Sequence, residues 1–230
     1  MATRVDLRRR ATDPEDLDVG VAESEALESL GDLRFVNRWL GGRGALRDVV
    51  RPHLAASTAP SLLDVGCGSG DVAAFLARTA PRPVLAVGAD LKLLHVQQVP
   101  RERVTPLVAD VHALPFRERS FDVVLASLFL HHFDGDAPAA VLAKLYSLCR
   151  RALVITDLRR AHVPYAFGRL TFPWLFRSPV SVNDGLLSIR RAFRVDELRA
   201  QFEAAGLPQV QIRRVFPYRL LAVAARAPSY

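Results

Sequence analysis

Five short apolar runs, separated by stretches of helical character, constrain this chain more than any other feature. SLLDVG (61–66), PVLAVGAD (83–90), RVTPLVAD (103–110), FDVVLAS (121–127) and RALVITD (151–157) read as strands. DVAAFLAR (71–78) reads as a helix, and so does Pro138–Cys149, whose proline falls in a first turn that needs no amide donor. Such alternation predicts a parallel sheet covered on both faces. Beyond it, VDELRAQFEAAG (195–206) reads as a helix closed by Gly206. QVQIRRVF (209–216) and YRLLAVAAR (218–226) follow as strands joined tightly at Pro217, and a tight connection demands an antiparallel pair.

The expected fold class is therefore α/β, a Rossmann-like, seven-stranded, mostly parallel sheet with an antiparallel last strand. At 230 residues with 50% hydrophobic content, the chain fits one domain, 1–230. Residues 1–56 form an N-terminal helical cap, 57–157 the ligand-binding core and 194–230 the last helix and strand pair. In the cap, Asp13-Pro14-Glu15 resembles a helix start. Leu30, Leu33, Phe35, Val36 and Leu40 give a helical stripe that stops at Gly41-Gly42, and a second helix runs from about Ala45 to Leu54. Residues 158–193 break the rhythm. AHVPYAFGRLTFPWLF (161–176) is too interrupted by proline and glycine for a core helix, and it is aromatic. An insertion at the carboxyl edge of a sheet is a lid position.

Charge singles out the same segment. The formal net charge is +7, and between Arg159 and Arg194 seven arginines (159, 160, 169, 177, 190, 191, 194) against Asp184 alone give +6 of it. A local basic field suits an anionic ligand, a membrane surface or nucleic acid. The N-terminus has no apolar core of a leader, and no run of about 18 apolar residues could span a bilayer. Cys67 and Cys149 lie far apart, with no Cys or His at metal-ligand spacing. A soluble, cytoplasmic protein without disulfide or metal is expected.

The chemistry concentrates at strand ends. Leu62-Leu63-Asp64-Val65-Gly66-Cys67-Gly68-Ser69-Gly70 runs from a strand through a glycine turn into a helix, where glycine lets backbone approach a ligand. A dinucleotide site needs G-x-G-x-x-G, but here the third glycine position is Asp71. A pyrophosphate would meet Asp64 and Asp71. These acids suit a ligand with a cationic end, such as the amino group and sulfonium of S-adenosylmethionine. Asp90 ends the second strand, where an acid accepts from both ribose hydroxyls. Asp110 ends the third, where a carboxylate can accept from an adenine amino group while Val111 offers its amide. One such acid could merely cap a turn; three at successive strand ends point to a ligand.

LLDVGCGSG, VGAD, VADVHALPF and FDVVLASLFLHHF together resemble the class I S-adenosylmethionine-dependent methyltransferases, over roughly residues 59–157 and more weakly through the final strands. The likeness is greatest to the quinone-biosynthesis and small-molecule branch. NRWLGG and RRAF also look like methyltransferases encoded beside bacterial polyketide synthases. The resemblance implies S-adenosylmethionine as cofactor and S-adenosylhomocysteine as product. It implies Asp64, Gly66 and Gly68 at the methionine end, with Cys67 packed in the loop, Asp90 and the adjacent Leu91 at the ribose, Asp110 and Val111 at adenine, and Ser127 under the sulfonium. Leu91-Lys92 departs from the small polar residue often found after the ribose acid. Asn37 or Arg38, on the helix before the first strand, would touch the cofactor carboxylate.

His131 and His132 follow the fourth strand, where the acceptor meets the methyl group, and either imidazole could take an acceptor proton. Asp157, ending the fifth strand, is a second base or orienting candidate. Methyl transfer to a hydroxyl of a phenolic, quinol or polyketide-type small molecule is the leading reading, with 158–193 as acceptor lid. Carbon methylation of a quinone ring and a non-catalytic cofactor-binding accessory role stay open. Nucleic acid is disfavoured, because ASLFLHHF lacks the Asn/Asp-Pro-Pro-Tyr/Phe motif of adenine methylation. The basic aromatic segment 159–194 leaves a peripheral membrane contact open, and oligomeric state is not legible.

Overall fold

The computed structural model describes residues 5–40 and 42–227. Strands β1 (Ser61–Val65), β2 (Leu85–Asp90), β3 (Thr105–Val108), β4 (Phe121–Ser127), β5 (Cys149–Leu158), β6 (Gln211–Val215) and β7 (Arg219–Ala225) form one sheet in the order β3-β2-β1-β4-β5-β7-β6. The first five run parallel, and β7 lies antiparallel between β5 and β6. The strand order reverses between β1 and β4, and ligands bind such sheets at the carboxyl ends beside that reversal.

Alternate side chains feed two cores, as a doubly covered sheet requires. Leu62, Ala86, Val123 and Leu125 pack on one face under α3 (Gly42–Ala55) and α4 (Asp71–Thr79). Leu63, Val87 and Val124 pack on the other, under α6 (Ala137–Leu148) and α9 (Val195–Ala204). A short α5 (Leu93–Gln97) follows β2. Gly41, half of the expected helix stop, lies outside the described residues; the preceding helix, α2, ends at Trp39.

The expectation that 161–176 is too broken for a core helix needs correction, and the lid segment 158–193 is largely helical. It holds two helices, α7 (His162–Leu175) and α8 (Pro179–Arg191). Pro164 sits in the first turn of α7, where its missing N–H costs nothing, and Pro173 falls only near its end. Gly168 is closely covered: a Cβ there would stand 2.8 Å from the ring of Phe172 one turn on and 3.1 Å from Leu186 of α8. Cap and lid also form one structure. The buried Asp32 of α2 (Glu23–Trp39) accepts from the amides of Arg177 and Ser178 just ahead of α8. Asp184 of α8 accepts from the amides of Asp16 and Leu17 in α1 (Asp16–Val19) at 2.7 and 3.0 Å.

Candidate active site

The turn after β1 is built for close approach. Gly66 and Gly68 have φ of +67° and +53°, a left-handed region that favours glycine. A Cβ on Gly66 would stand 2.2 Å from the Phe129 ring, so the position has no room for one. Asp90 closes the turn from β2: its carboxylate accepts from the Gly68 amide at 2.9 Å and the Lys92 amide at 3.0 Å. Burial would raise its pKa, but His95 at 3.3 Å and these amides hold it below the usual carboxylate value. Asp110 accepts from the His112 amide at 2.9 Å and lines the cavity.

Gly66, Gly68, Asp90, Leu91, Asp110 and Val111 share one cavity of about 550 Å³ with His131 and His132. That volume falls within the range of small-molecule sites, about 300–1,000 Å³. Its far wall is aromatic and comes from the lid: Phe167, Phe172 and Phe176, with Tyr218 beside Phe167. Leu128, at the end of β4, has φ of +54°, a costly conformation for leucine that places local strain on the cavity wall.

The two histidines differ. His131 is 2% exposed; its Nδ1 lies 2.6 Å from Asp157 Oδ1, and its amide donates to Asp157 Oδ2 at 3.1 Å. Its Nε2 stands 3.3 Å from Glu15 Oε1, off the line of a hydrogen bond. Burial would lower its pKa, yet Asp157 and then Glu15 push it up to about 10. Asp157 and Glu15 are drawn below their usual values against their own burial by the same histidine. His131 therefore holds its proton between two carboxylates at neutral pH, a poor state for accepting another. His132, with a quarter of its side chain exposed, stacks on His131 at 4.4 Å and places Nδ1 2.8 Å from Asp18 Oδ2.

Other expected positions stand apart from the cavity. Asp64 is buried behind the turn with one oxygen unpartnered, and burial, with Asp71 adding, raises its pKa well above the carboxylate range. Cys67 packs its sulfur toward Gly88, and burial pushes its thiol up. The Ser127 hydroxyl is buried without a partner. Arg38 is exposed over Trp39, while its neighbour Asn37 turns inward to Asp71 and Arg219. Asp157 reaches the site only through His131.

Three cavity residues escaped the sequence reading. Glu15 and Asp18 come from α1 and the residue before it, a segment legible only as a helix start. Arg219 is a charged residue at the inner end of an apolar strand. It is buried, its Nη2 donates to Asn37 Oδ1 at 3.1 Å, and its Nη1 has no partner. Burial lowers its pKa to about 10, with Asp157 and Asp71 opposing.

Residues 63–153 match the family model described as a methyltransferase domain. A ubiquinone/menaquinone biosynthesis C-methyltransferase of Dinoroseobacter shibae is 28% identical over 190 residues, 74% of each chain. An uncharacterized methyltransferase of Synechocystis sp. is 23% identical over 192 residues, 82% of this chain and 85% of its own. Among solved structures, the plantazolicin methyltransferase in complex with S-adenosylhomocysteine superposes with a TM-score of 0.68 at 14% identity, covering 90% of this chain and 96% of that one.

Proposed function

Because the chain is a class I S-adenosylmethionine-dependent methyltransferase acting on small molecules, we propose that it methylates an oxygen of an apolar phenol, quinol or polyketide-type acceptor. One observation carries this reading. A single cavity joins the glycine turn and strand-end acids to an aromatic wall and a histidine pair. Bound S-adenosylmethionine supplies the electrophilic methyl group on its sulfonium.

The residues present fit that cofactor. The unpaired Nη1 of Arg219 offers a buried cation to its carboxylate. Asp90 spends one lone pair per oxygen on the turn and keeps the others for ribose hydroxyls. Asp110 and the Val111 amide face the adenine end. Phe129 packs on Gly66 between the two ends. Displacement at a methyl group gains chiefly from alignment and exclusion of water, and the lid aromatics supply both. His132, oriented by Asp18, is the imidazole at the acceptor's edge, while His131 and Asp157 fix its seat.

A quinone-ring carbon is the second reading, favoured by the likeness to the Dinoroseobacter C-methyltransferase. Calorimetric titration with S-adenosylmethionine, followed by turnover on matched phenols, quinols and quinones, tests both. A methoxy product supports the first and a C-methyl product the second. Cofactor binding without turnover on this panel or on a host lysate with labelled cofactor would favour the accessory role.

A further inference from the structure

We propose that Glu15, His131 and His132 form a binding site for one divalent transition-metal ion of the Zn²⁺ class at the acceptor end of the cavity. The sequence reading expected no metal because it looked for ligands at close spacing; here the fold brings Glu15 to the histidine pair. The three side chains offer ligand atoms that all lie within 4.8 Å of one another.

The arrangement of the two rings is the first argument. Each Nδ1 is taken by a carboxylate: Asp157 for His131 and Asp18 for His132, at 2.6 and 2.8 Å. Metal-bound histidines are held in this way, their second nitrogen donating to an acid that fixes ring and tautomer. What remains is Nε2 on each ring, and both approach the same carboxylate; an ion binding there displaces the proton that His131 otherwise holds, which passes to solvent. His131 Nε2 is 3.3 Å from Glu15 Oε1, and His132 Nε2 is 4.0 Å from Glu15 Oε2.

The second argument is an unpaired atom. Among the described residues, His131 Nε2 is buried without a hydrogen-bond partner although the acid is so close, and such a group calls for an explanation. Two ligand atoms about 2.0–2.1 Å from one tetrahedral ion stand roughly 3.3 Å apart. The Glu15–His131 separation suits a shared ion as well as it fails an aligned hydrogen bond. Ser188 steadies the acid by donating to Glu15 Oε1 at 2.6 Å. Three protein ligands with the fourth position toward the cavity make an open site, able to hold an exchangeable oxygen ligand. Ion binding stands whatever the acceptor is; only its use, holding an acceptor hydroxyl, rests on the reading above.

Calorimetry of the full chain, stripped with EDTA and titrated with Zn²⁺, should show one equivalent bound. His132→Ala should abolish that equivalent, and Asp18→Asn, which touches no ion, should weaken it about 10–100-fold. Co²⁺ loaded in place of Zn²⁺ should give the visible bands of a tetrahedral nitrogen- and oxygen-bound ion. Absence of stoichiometric Zn²⁺ binding would overturn the site, as would binding unchanged in both His132→Ala and Glu15→Gln. Should His132→Ala fail to fold, the Co²⁺ spectrum of the unaltered chain decides, and its absence refutes the site. S-adenosylmethionine affinity, measured on the same stripped samples, separates a failed metal site from a failed methyltransferase reading.

Discussion

Asp90 closes the glycine turn and lines the cavity with one carboxylate, so its replacement should show twice. Asp90→Ala should weaken S-adenosylmethionine about 10–100-fold in calorimetry, the loss of hydrogen bonds to a charged acceptor. Its pKa is depressed in the folded chain. The stability it contributes is thus full above its unfolded value, about 3.9, and is lost as pH falls through the lower folded value. The melting-temperature gap between the unaltered chain and Asp90→Asn should be open at pH 7 and close below about pH 4. Arg219 acts on the ligand, since its Nη1 is desolvated without a partner among the described residues. Arg219→Met should weaken the cofactor about tenfold or more in the same calorimetry. 5′-Methylthioadenosine, which lacks the carboxylate, should bind both forms alike. For His132→Ala, turnover should fall about 10²–10⁴-fold with cofactor affinity kept; near-normal turnover would leave the reaction to positioning alone.

At the scale of elements, legibility followed the period of the pattern. Strands β1 and β4 read clearly because they are buried along their length and nearly apolar, as Leu62 and Leu63 illustrate by facing different cores, while the edge strand β3 is half exposed. Asp90 and Asp110 read clearly because strand ends are visible in the sequence. The lid helices were hidden because Pro164, Gly168 and Pro173 read as breaks, while the prolines fall near the two ends of α7 and Gly168 lies against Phe172 and Leu186 of α8. Glu15 and Asp18 were hidden for the same reason, since their partners are brought by tertiary folding. Phe167 lies on the inner wall of α7 beside Tyr218. Phe167→Ala should raise the acceptor KM several-fold and leave cofactor affinity unchanged; equal loss of both would place α7 in the cofactor's support instead.

The whole molecule spends part of its basic segment inside. Arg160 and Arg191 are buried. Arg160 donates to the carbonyls of Leu7 and Ala192 and pairs with Glu197. Arg191 holds the carbonyls of His131 and His132 at 3.1 and 2.8 Å, and Arg10 reaches the His131 carbonyl as well. These arginines clamp the turn that carries the histidines. What stays outside is an uncovered face of α7 with Val163, Leu170 and Trp174, the last 88% exposed, beside exposed Arg169. Among the described residues no helix is long and apolar enough to cross a membrane. Contact with a bilayer surface would therefore be peripheral, through this face. Flotation with anionic vesicles should then weaken with added salt and with Trp174→Ala. Absence of vesicle binding at low salt would leave the face as ordinary surface.

The clamp has a consequence for the order in which the protein comes into being. Arg10 bonds the Arg191 carbonyl across a sequence separation of 181, and Asp16 bonds Asp184 across 168. Arg10 and Asp16 are thus made long before their partners and pair with them late, because loops this long close only after the sheet between them can hold the ends together. The glycine turn, Asp90 and Asp110 can be in place while the acceptor end is still an open edge. A nascent chain would therefore carry the glycine turn and its acids before the acceptor end is closed, and β7, which brings Arg219 to the cavity, follows both histidines in chain order.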